Sequence, residues 1–543
     1  MKRLLPAIVC WACFAGQLSA QTLTSTNLPI IVINTNGGTI VDEPKIPADM
    51  GIIYNGSGVR NNITDPFNQY NGKIGIEIRG QSSQSFPMKS YSIELRDAAG
   101  NSQDKALFGL PKESDWVLYA PYTDKTLMRN FLAYTMSREL GHWAANCRFV
   151  EVVLNGQYVG IYVFMEKIKR GSGRVPVTKM ASTDVSGDAV TGGYIFSLDK
   201  EPDGWFSSFA TPGSTNSARR QFSYVYPKLE NIVQQQKDYL KSYVDSFEYA
   251  LAGPDFQDPQ KGVRRFADIP SFIDYLIVNE VSRNVDGYRL SSYFYKDRDS
   301  KNRKIIAGPV WDYDLAFRNA DYCDGWKTTG WAFDFNSVCP GDGAGLIPFW
   351  WNQFKKDTAF NGAWRCRWKQ LRQTVLSENH VNFLIDSIVS LVGEARVRHF
   401  QKWPVLGVHL WPNPAPLATT YDQEIFYLKS WLHDRMAWID ANLPNSGACM
   451  DYSYPLDARA SIVVSVQPNP LHGDGTILLQ SDRQQTIWLE VLDVNGRRLF
   501  IRSQEVRYGY NNLSLPSASW STGVYFLSFR TASGEKVVCK VLR

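Results

Sequence analysis

Residues 285–317 carry the sequence VDGYRLSSYFYKDRDSKNRKIIAGPVWDYDLAF, in which acidic ends enclose an aromatic segment, a charged turn and an apolar segment. Asp286 opens the stretch, and Asp312 and Asp314 close it. The aromatic and apolar segments are typical of the two strands of a hairpin, which would bring the acidic ends together. The stretch is therefore either a surface hairpin with solvated carboxylates or the two halves of a metal site.

These two interpretations differ in what they require of the carboxylates. Phosphoryl transfer needs one carboxylate to orient the attacking hydroxyl group and another to hold Mg²⁺ against the phosphates. Two unpaired carboxylates at the ends of one hairpin would repel each other, and a divalent ion relieves that repulsion. Asp286 and Gly287 also form a common turn dipeptide, so the surface hairpin stays open as the alternative.

The chain before this stretch is rich in strand patterns. Alternating apolar residues predict a pair of strands in KIGIEIRG (73–80) and SYSIELRD (90–97), joined by a turn. The segment FVEVVLNGQYVGIYVFMEKI (149–168) predicts a hairpin that turns at Asn155 and Gly156. Further strands are predicted in GGYIFSLDK (192–200) and FSYVYPK (222–228).

Helical patterns dominate the second half. DKTLMRNFLAYTMSREL (124–140) predicts one early helix with Asp124 as its N-cap, and SFIDYLIVNEVSRN (271–284) predicts a helix directly before Asp286. Three later segments, near residues 363–375, 380–400 and 423–443, are also periodic. A β-rich half followed by a helical half predicts an α+β body of two lobes with a cleft between them.

Basic and acidic residues of the β-rich half are candidates for the phosphate side of such a cleft. Arg79 and Lys89 flank the turn between the first two strands, and Gly80 would let backbone amides approach an anion. A polar hairpin turn explains this segment equally well. Glu166 and Lys167 end another strand, and because neighbouring strand residues point to opposite faces, at most one of them can face the cleft. The chain contains neither G-x-G-x-x-G nor a Walker A motif.

Composition and the N-terminal segment restrict the compartment. The net charge of +5 comes from acidic and basic residues mixed along the chain, which argues against a dedicated nucleic-acid binder. Lys2 and Arg3, a short apolar segment and small residues before Gln21 predict a signal peptide over residues 1–20. No later apolar segment is long enough to predict a membrane span.

Six cysteines follow the predicted signal peptide, and export would permit disulfides between them. Cys323 and Cys339 bracket CDGWKTTGWAFDFNSVC, a loop with little periodicity to hold it, and we predict a disulfide between them. The pairing of the other cysteines stays open, and no Cys or His spacing predicts a zinc site.

Five motifs together resemble the CotH family, the spore coat protein H-like kinases. They occur in order over residues 72–443, as IRGQSSQSFPMKSYSIELRD, LYAPYTDKTLMRN, YVGIYVFMEKI, NEVSRNVDGYRLSSYFYKD and GPVWDYDLAF. The C-terminal segment SWSTGVYFLSFRTASGEKVVCKV (519–541) resembles a type IX secretion sorting domain, which in Bacteroidota-type bacteria directs export across the outer membrane.

The resemblance implies an atypical protein-kinase-like fold that transfers phosphate from ATP, with Mg²⁺ or Mn²⁺, to Ser or Thr of secreted or surface proteins. By motif, Asp286 matches the catalytic aspartate and Asp312 the metal-binding aspartate. Arg79 and Lys89 match basic residues of the family's phosphate-side hairpin, and we add Glu166 as a further candidate for nucleotide binding.

One position departs from the family pattern. Kinase catalytic loops place a metal-binding asparagine five residues after the catalytic aspartate, whereas this chain has Ser291. Serine is a poorer, neutral ligand for Mg²⁺, so either one metal site is lost or Asp314 supplies another oxygen. Asp314 would share a face with Asp312 only if the strand continued.

The patterns divide the chain into five segments. We predict a signal peptide (1–20), an N-terminal extension with the first strands (21–70), the CotH-like kinase domain (71–443), a linker (444–460) and a β-sandwich sorting domain (461–543). The function predicted is an exported kinase whose partners are nucleotide, a secreted or surface protein and the type IX secretion machinery. The alternative is a weak or inactive surface protein that binds sugar or protein through Trp326, Trp331, Trp350 and Trp351. A metal-dependent hydrolase is a third possibility.

Overall fold

The computed structural model describes residues 23–543 except 57, 201–203, 215–216, 340–344, 450–461 and short segments of the C-terminal domain (468–469, 472, 482–483, 495, 507–508, 532–533 and 535). The predicted signal peptide lies outside the described residues. Helix and strand each account for 28% of the chain, in agreement with the predicted mixed α and β content.

The strands and helices of the body follow one another along residues 25–442. The strands are β1 Ser25–Thr26, β2 Ile30–Asn34, β3 Ile46–Ile53, β4 Asn61–Asn62, β5 Tyr70–Arg79, β6 Ser90–Arg96, β7 Asp115–Tyr119, β8 Cys147–Leu154, β9 Gln157–Glu166, β10 Tyr194–Leu198, β11 Gly204–Ala210, β12 Arg219–Tyr226, β13 Ser292–Lys296 and β14 Ile306–Ala307. The helices are α1 Arg129–Glu139, α2 Gly187–Val190, α3 Gln234–Ala252, α4 Ile269–Ser282, α5 Asp299–Asn302, α6 Trp350–Phe354, α7 Thr358–Arg372, α8 Glu378–Lys402 and α9 Tyr421–Asn442.

A seven-stranded barrel forms the first part of the body. Its strand order is β2-β3-β5-β6-β7-β9-β8, and it closes where β2 pairs in parallel with β8. Both predicted hairpins, β5–β6 and β8–β9, are confirmed, the second with left-handed backbone at Asn155 and Gly156. The alternating isoleucines of β5 point into the barrel core, which explains their spacing of two. Closure of the sheet was not predicted, and it places β2 and β3 in the same unit as the later strands.

A second sheet and the long helices form the rest of the body around one large apolar core. The sheet order is β11-β12-β10-β13-β14, so the hairpin of the opening stretch, β13–β14, lies at its edge. Helix α4 ends shortly before that hairpin; Asp268 caps its N-terminus by accepting the Ser271 backbone N–H, and Pro270 occupies the first turn. The three later helices predicted from periodicity are α7, α8 and α9.

The first predicted helix starts later than expected. Helix α1 begins at Arg129, and Asp124 is not its N-cap. The Asp124 carboxylate instead accepts the backbone N–H of Thr126 and of Arg129 and pairs with the Arg129 guanidinium at 2.5 Å. Leu127 has a φ of 66°, which breaks the helix between the two residues. The segment 124–128 is therefore a buried turn whose carboxylate is neutralised by the helix that follows it.

The C-terminal region is a pair of antiparallel sheets around a core of its own, as predicted. Its strands are β15 Ile462–Gln467, β16 Gly475–Ser481, β17 Gln485–Asp493, β18 Arg498–Val506, β19 Gly509–Leu515, β20 Val524–Thr531 and β21 Lys536–Leu542. Sheet β15-β16-β19 faces sheet β18-β17-β20-β21. Within the described part of the chain, no helix is both long and apolar enough to cross a membrane.

The first residues of the predicted linker are attached to helix α7. Cys449 forms a disulfide with Cys366, and the Arg365 guanidinium donates hydrogen bonds to the carbonyls of Pro444, Ser446 and Gly447. The sequence did not predict this pairing. The predicted disulfide between Cys323 and Cys339 is present, and Cys147 and Cys539 are free thiols.

Candidate functional site

Asp286 lies in the turn that leads from helix α4 into the hairpin. The helix ends at Arg283, whose left-handed backbone redirects the chain. The Asn284 side-chain oxygen accepts the Asp286 backbone N–H at 3.1 Å, and the Asp286 carbonyl accepts the Leu290 N–H at 2.9 Å. This closed turn fixes the position of the Asp286 carboxylate, which is 18% exposed.

Asp312 lies at the other end of the hairpin, beside the same turn. Strand β14 is only two residues long, and Asp312 has a φ of 63°, so the chain leaves the sheet before it reaches the aspartate. The Asn284 side-chain amide donates to the Asp312 carbonyl at 3.3 Å, and the Asp312 N–H donates to the Tyr134 hydroxyl at 3.0 Å. Asn284 thus contacts both ends of the hairpin, which lie together as the metal-site interpretation requires.

Burial and neighbouring negative charge raise the pKa values of the aspartates of this site. Burial and then the Asp286 charge raise the pKa of Asp312 to about 6. Burial, Asp312 and Asp286 together raise the pKa of Asp314 well above its ordinary value. Burial also raises the pKa of Asp286, although Arg289 and Lys200 oppose the shift. Carboxylates that disfavour each other's ionisation form a site that gains from a bound cation.

Two further residues of this site were missed by sequence analysis. Asp199 and Lys200 follow β10, and the charges of both act on Asp286 and Asp312. Burial raises the pKa of Asp199. A signal was available, because Asp199 and Lys200 form an acidic and basic pair at the end of a predicted strand, as Glu166 and Lys167 do.

Ser291, which stands where the family pattern has an asparagine, lies beside Asp199. Its backbone has a φ of 46°, and its backbone N–H donates a hydrogen bond to the Asp199 carboxylate. The next residue, Ser292, already belongs to β13 and is buried. The turn 286–291 therefore ends in contact with the Asp199 carboxylate, which follows strand β10.

Two tyrosine hydroxyl groups lie close to the acidic residues. Burial and then the charges of Asp314, Asp124 and Asp312 raise the pKa of Tyr119. Burial and then the charge of Asp286 raise the pKa of Tyr322, with Asp314 also contributing. Both phenols consequently stay protonated, and each can donate a hydrogen bond beside the carboxylates.

Arg79 lies near the site, against two stacked aromatic rings. Its guanidinium lies 5.5 Å from the Trp311 ring centroid, and Trp311 stacks on Tyr134 at 5.8 Å. The Arg79 charge lowers the pKa of Asp312 against the effects of burial and of Asp286. Arg79, on barrel strand β5, is therefore within electrostatic reach of the hairpin carboxylates.

Lys89 and Glu166 have other partners. The Lys89 ammonium donates to the Gln84 carbonyl at 2.6 Å, inside its own turn. Glu166 is fully buried, accepts the Asn146 backbone and side-chain N–H at 2.9 and 2.8 Å, and lies 3.8 Å from Arg174.

The residue after Glu166 points the other way. Lys167 is exposed to solvent, within electrostatic reach of Arg79 and Asp115. Alternation along the strand explains the difference, and Lys167 rather than Glu166 shares the surroundings of Arg79.

The donor chemistry at the hairpin fits a hard divalent cation, since Mg²⁺ and Mn²⁺ prefer carboxylate oxygens. Asp312 and Asp314 would hold such an ion, with Asp286 beside them, because their mutual repulsion would become attraction to a shared charge. In the part of the chain that the structure describes, no three His, Cys, Asp or Glu side chains are already arranged as metal ligands.

The tryptophans suggested as a binding platform lie mostly inside the protein. Trp350 and Trp351 are each 1% exposed and belong to the large core, and Trp331 packs partly buried against it. Trp326 is 37% exposed. Trp411 is more exposed, at 48%, and stacks on Tyr322 at 5.9 Å, next to the acidic residues.

Comparison with known proteins identifies two regions of the chain. The family described as CotH kinase protein matches residues 76–439, and the secretion system C-terminal sorting domain matches residues 465–542. No curated protein matches the chain. The sorting domain indicates export to the cell surface or beyond and involvement of the type IX secretion machinery. The family match covers most of the chain, which therefore belongs to the CotH kinase protein family.

Proposed function

We propose that the protein is an exported atypical kinase that transfers phosphate from ATP to Ser or Thr residues of secreted or surface proteins. The observation that carries the proposal is the juxtaposition of Asp286 and Asp312 at the two ends of one hairpin, connected through Asn284. Phosphoryl transfer requires this pair of carboxylates with different roles. The family match supports the same activity.

The two aspartates are proposed to act differently. Asp312, with Asp314 beside it, would hold Mg²⁺ or Mn²⁺, which when bound neutralises the phosphate charge of ATP. Asp286 is held by its turn and by Arg289, and it would accept the proton of the attacking hydroxyl group. The raised pKa of Asp286 suits a group that must take up a proton during transfer.

The barrel is proposed to supply the phosphate side. Arg79 lies against Trp311, immediately before Asp312, and Lys167 lies near Arg79. Cations at this position would meet the phosphates that the metal does not neutralise. In this proposal the barrel and the helical part correspond to the two lobes of a kinase-like fold, with the nucleotide between them.

A catalytically weak surface protein that binds sugar or protein partners is the second candidate. It is favoured by Ser291, which provides neither the amide oxygen nor the charge of a usual metal ligand, and by the exposed Trp411 stacked on Tyr322. Aromatic faces of this kind bind sugar rings and apolar side chains. The buried Trp350 and Trp351 do not support it.

Phosphate transfer from γ-labelled ATP tests the choice. Wild-type protein with Mn²⁺ or Mg²⁺ should label either itself or proteins secreted by the same cell, and Asp286→Asn should abolish labelling while the variant stays folded. Labelling by Asp286→Asn at the wild-type rate would contradict the role of this residue. Labelling by neither protein, with ATP bound by both, would favour the second candidate.

A further inference from the structure

Arg289 is the ion-pair partner of Asp286 and lies three residues after it in the same turn. One guanidinium nitrogen, Nη2, is 3.7 Å from Asp286 Oδ1, and the Arg289 side chain is largely buried. The Arg289 backbone N–H donates to the Asp286 carbonyl, so both ends of the arginine are directed at the aspartate. Movement of this guanidinium would take its positive charge away from Asp286.

The Cys323–Cys339 disulfide holds the other side of the guanidinium. Arg289 Nη1 donates to the Gly345 carbonyl at 2.9 Å and to Cys339 Sγ at 3.1 Å, and Nη2 lies 3.9 Å from Cys323 Sγ. Arg220 donates to the Arg289 carbonyl and fixes the backbone. The guanidinium is thus enclosed between Asp286 on one side and the disulfide on the other.

The disulfide joins the two ends of a loop that is mostly irregular. Its regular part is a short 3₁₀ helix, Ala332–Ser337, immediately before Cys339. Tyr322 precedes Cys323, and its phenol lies near Asp286 and Asp314. The disulfide therefore fixes two neighbours of Asp286 at once, Arg289 through Cys339 and Tyr322 through Cys323.

We propose that Arg289 is a positioning residue that holds Asp286 in place for phosphate transfer, and that the Cys323–Cys339 disulfide holds Arg289. This inference rests on the proposed function. It makes completion of the site depend on formation of the disulfide, which an oxidising compartment outside the cytoplasm allows. A kinase built in this way gains its active arrangement during export.

Arg289 variants test the positioning role through kinetics. Arg289→Gln should lower kcat for phosphate transfer from MnATP by about tenfold or more, with KM for ATP changed by less than about twofold, because the guanidinium does not touch the nucleotide in this account. Arg289→Lys, which keeps the charge but not the fork, should recover part of kcat. Equal loss in both variants together with a raised KM would overturn the role.

Hydrogen exchange tests the disulfide without requiring activity. We expect the backbone amides of residues 284–292 to exchange faster, by about tenfold, in Cys323→Ser/Cys339→Ser than in wild type, because Arg289 loses its contacts with the disulfide. The double variant Cys366→Ser/Cys449→Ser removes the other disulfide and should leave this segment unchanged. Unchanged exchange at 284–292 in both double variants would overturn the inference.

Reduction of the folded Cys366→Ser/Cys449→Ser variant provides the same comparison if the first double variant does not fold, because dithiothreitol would reduce both disulfides of the wild-type protein. Dithiothreitol gives two electrons and two protons to break the Cys323–Cys339 bond into two thiols and closes into its own cyclic disulfide. Exchange at 284–292 should rise and phosphate transfer should fall in parallel. If exchange rises but wild-type protein transfers no phosphate, the proposed function fails while the link between disulfide and turn stands. If exchange does not rise on reduction, the link itself is wrong.

Discussion

Asp274 and Asp312 are two aspartates of the same body in opposite surroundings. Asp274, on helix α4, lies 3.0 Å from the His142 ring nitrogen and accepts two hydrogen bonds from the Arg367 guanidinium, at 2.9 and 3.1 Å. Burial alone would raise its pKa, but His142 and Arg367 lower it. Asp312 faces the charge of Asp286, and burial together with that charge raises its pKa to about 6.

The difference separates buried carboxylates that stabilise the folded state from buried carboxylates that destabilise it. A buried charge that is paired and hydrogen-bonded costs the folded state little, whereas one that faces a like charge destabilises it. The Asp274 carboxylate connects α4 to α7 through Arg367 and to the segment after α1 through His142. Within the described part of the chain, the carboxylates of Asp312 and Asp314 form no ion pair of this kind, and such unneutralised carboxylates are typical of a functional site.

The largest expected effect is a difference in the free energy of unfolding between variants of the paired Asp274 and of the repelled Asp312. Asp274→Asn should lower the free energy of unfolding by about 4 kcal/mol, because it leaves Arg367 without its carboxylate. Asp312→Asn should leave that free energy unchanged or raise it by up to about 2 kcal/mol, because it removes a repelled charge. Denaturant unfolding of both variants measures the comparison. Equal destabilisation by the two substitutions would break it.

Glu248 is intermediate between these two classes, and the pH dependence of the free energy of unfolding extends the comparison to it. Burial raises the pKa of Glu248 from 4.5 to about 7, although it accepts hydrogen bonds from Ser207 and Trp350, which are neutral donors. Since the folded state then holds this proton more tightly, its contribution to stability is complete below pH 4.5 and is lost as pH rises through about 7.

Glu248→Gln should remove that pH dependence. Relative to wild type, the variant should become more stable by about 3 kcal/mol between about pH 4.5 and pH 8, because glutamine has no proton to lose. Unfolding at both pH values gives the difference, and Asp274→Asn serves as the control that should not show it with this sign. A wild-type to Glu248→Gln difference that is constant across pH would contradict the burial argument.

A smaller effect separates the two basic residues of the β5–β6 hairpin. Arg79→Gln should weaken MgATP binding by about tenfold, because the Arg79 charge acts at Asp312, whereas Lys89→Gln should change it by less than about twofold. Lys89 is occupied by the carbonyl of Gln84. Titration calorimetry with both variants checks the ratio. Stronger loss in Lys89→Gln would show that the turn opens when nucleotide binds.

Local patterns were sufficient to predict the elements that a few neighbouring residues determine. Alternation in β5 and β6 and the Asn155 and Gly156 turn predicted the hairpins, and the apolar stripe of α9 predicted that helix. The irregular loop between Cys323 and Cys339 predicted their disulfide. Hairpin geometry also predicted that Asp286 and Asp312 meet, since chain closure alone brings those ends together.

Features set by distant residues were not predictable in the same way. Barrel closure depends on the parallel pairing of β2 with β8, which are more than a hundred residues apart, and the sequence of neither strand specifies its partner. Helix α3 was also not predicted, although the spacing of Leu240, Val244 and Leu251 is a local helical pattern. The partners of Glu166 and of Asp199 come from other elements, so their surroundings became visible only with the tertiary structure.

Metal-dependent nucleotide binding tests the central claim most directly, that Asp312 serves a bound cation and Asp286 does not. We predict that ATP with Mg²⁺ or Mn²⁺ raises the melting temperature of wild-type protein and of Asp286→Asn alike. Asp312→Asn should lose the metal-dependent part of that increase, because the phosphate charges then lack their neutralising ion. The absence of any nucleotide-dependent increase in wild type, or an undiminished one in Asp312→Asn, would contradict the account.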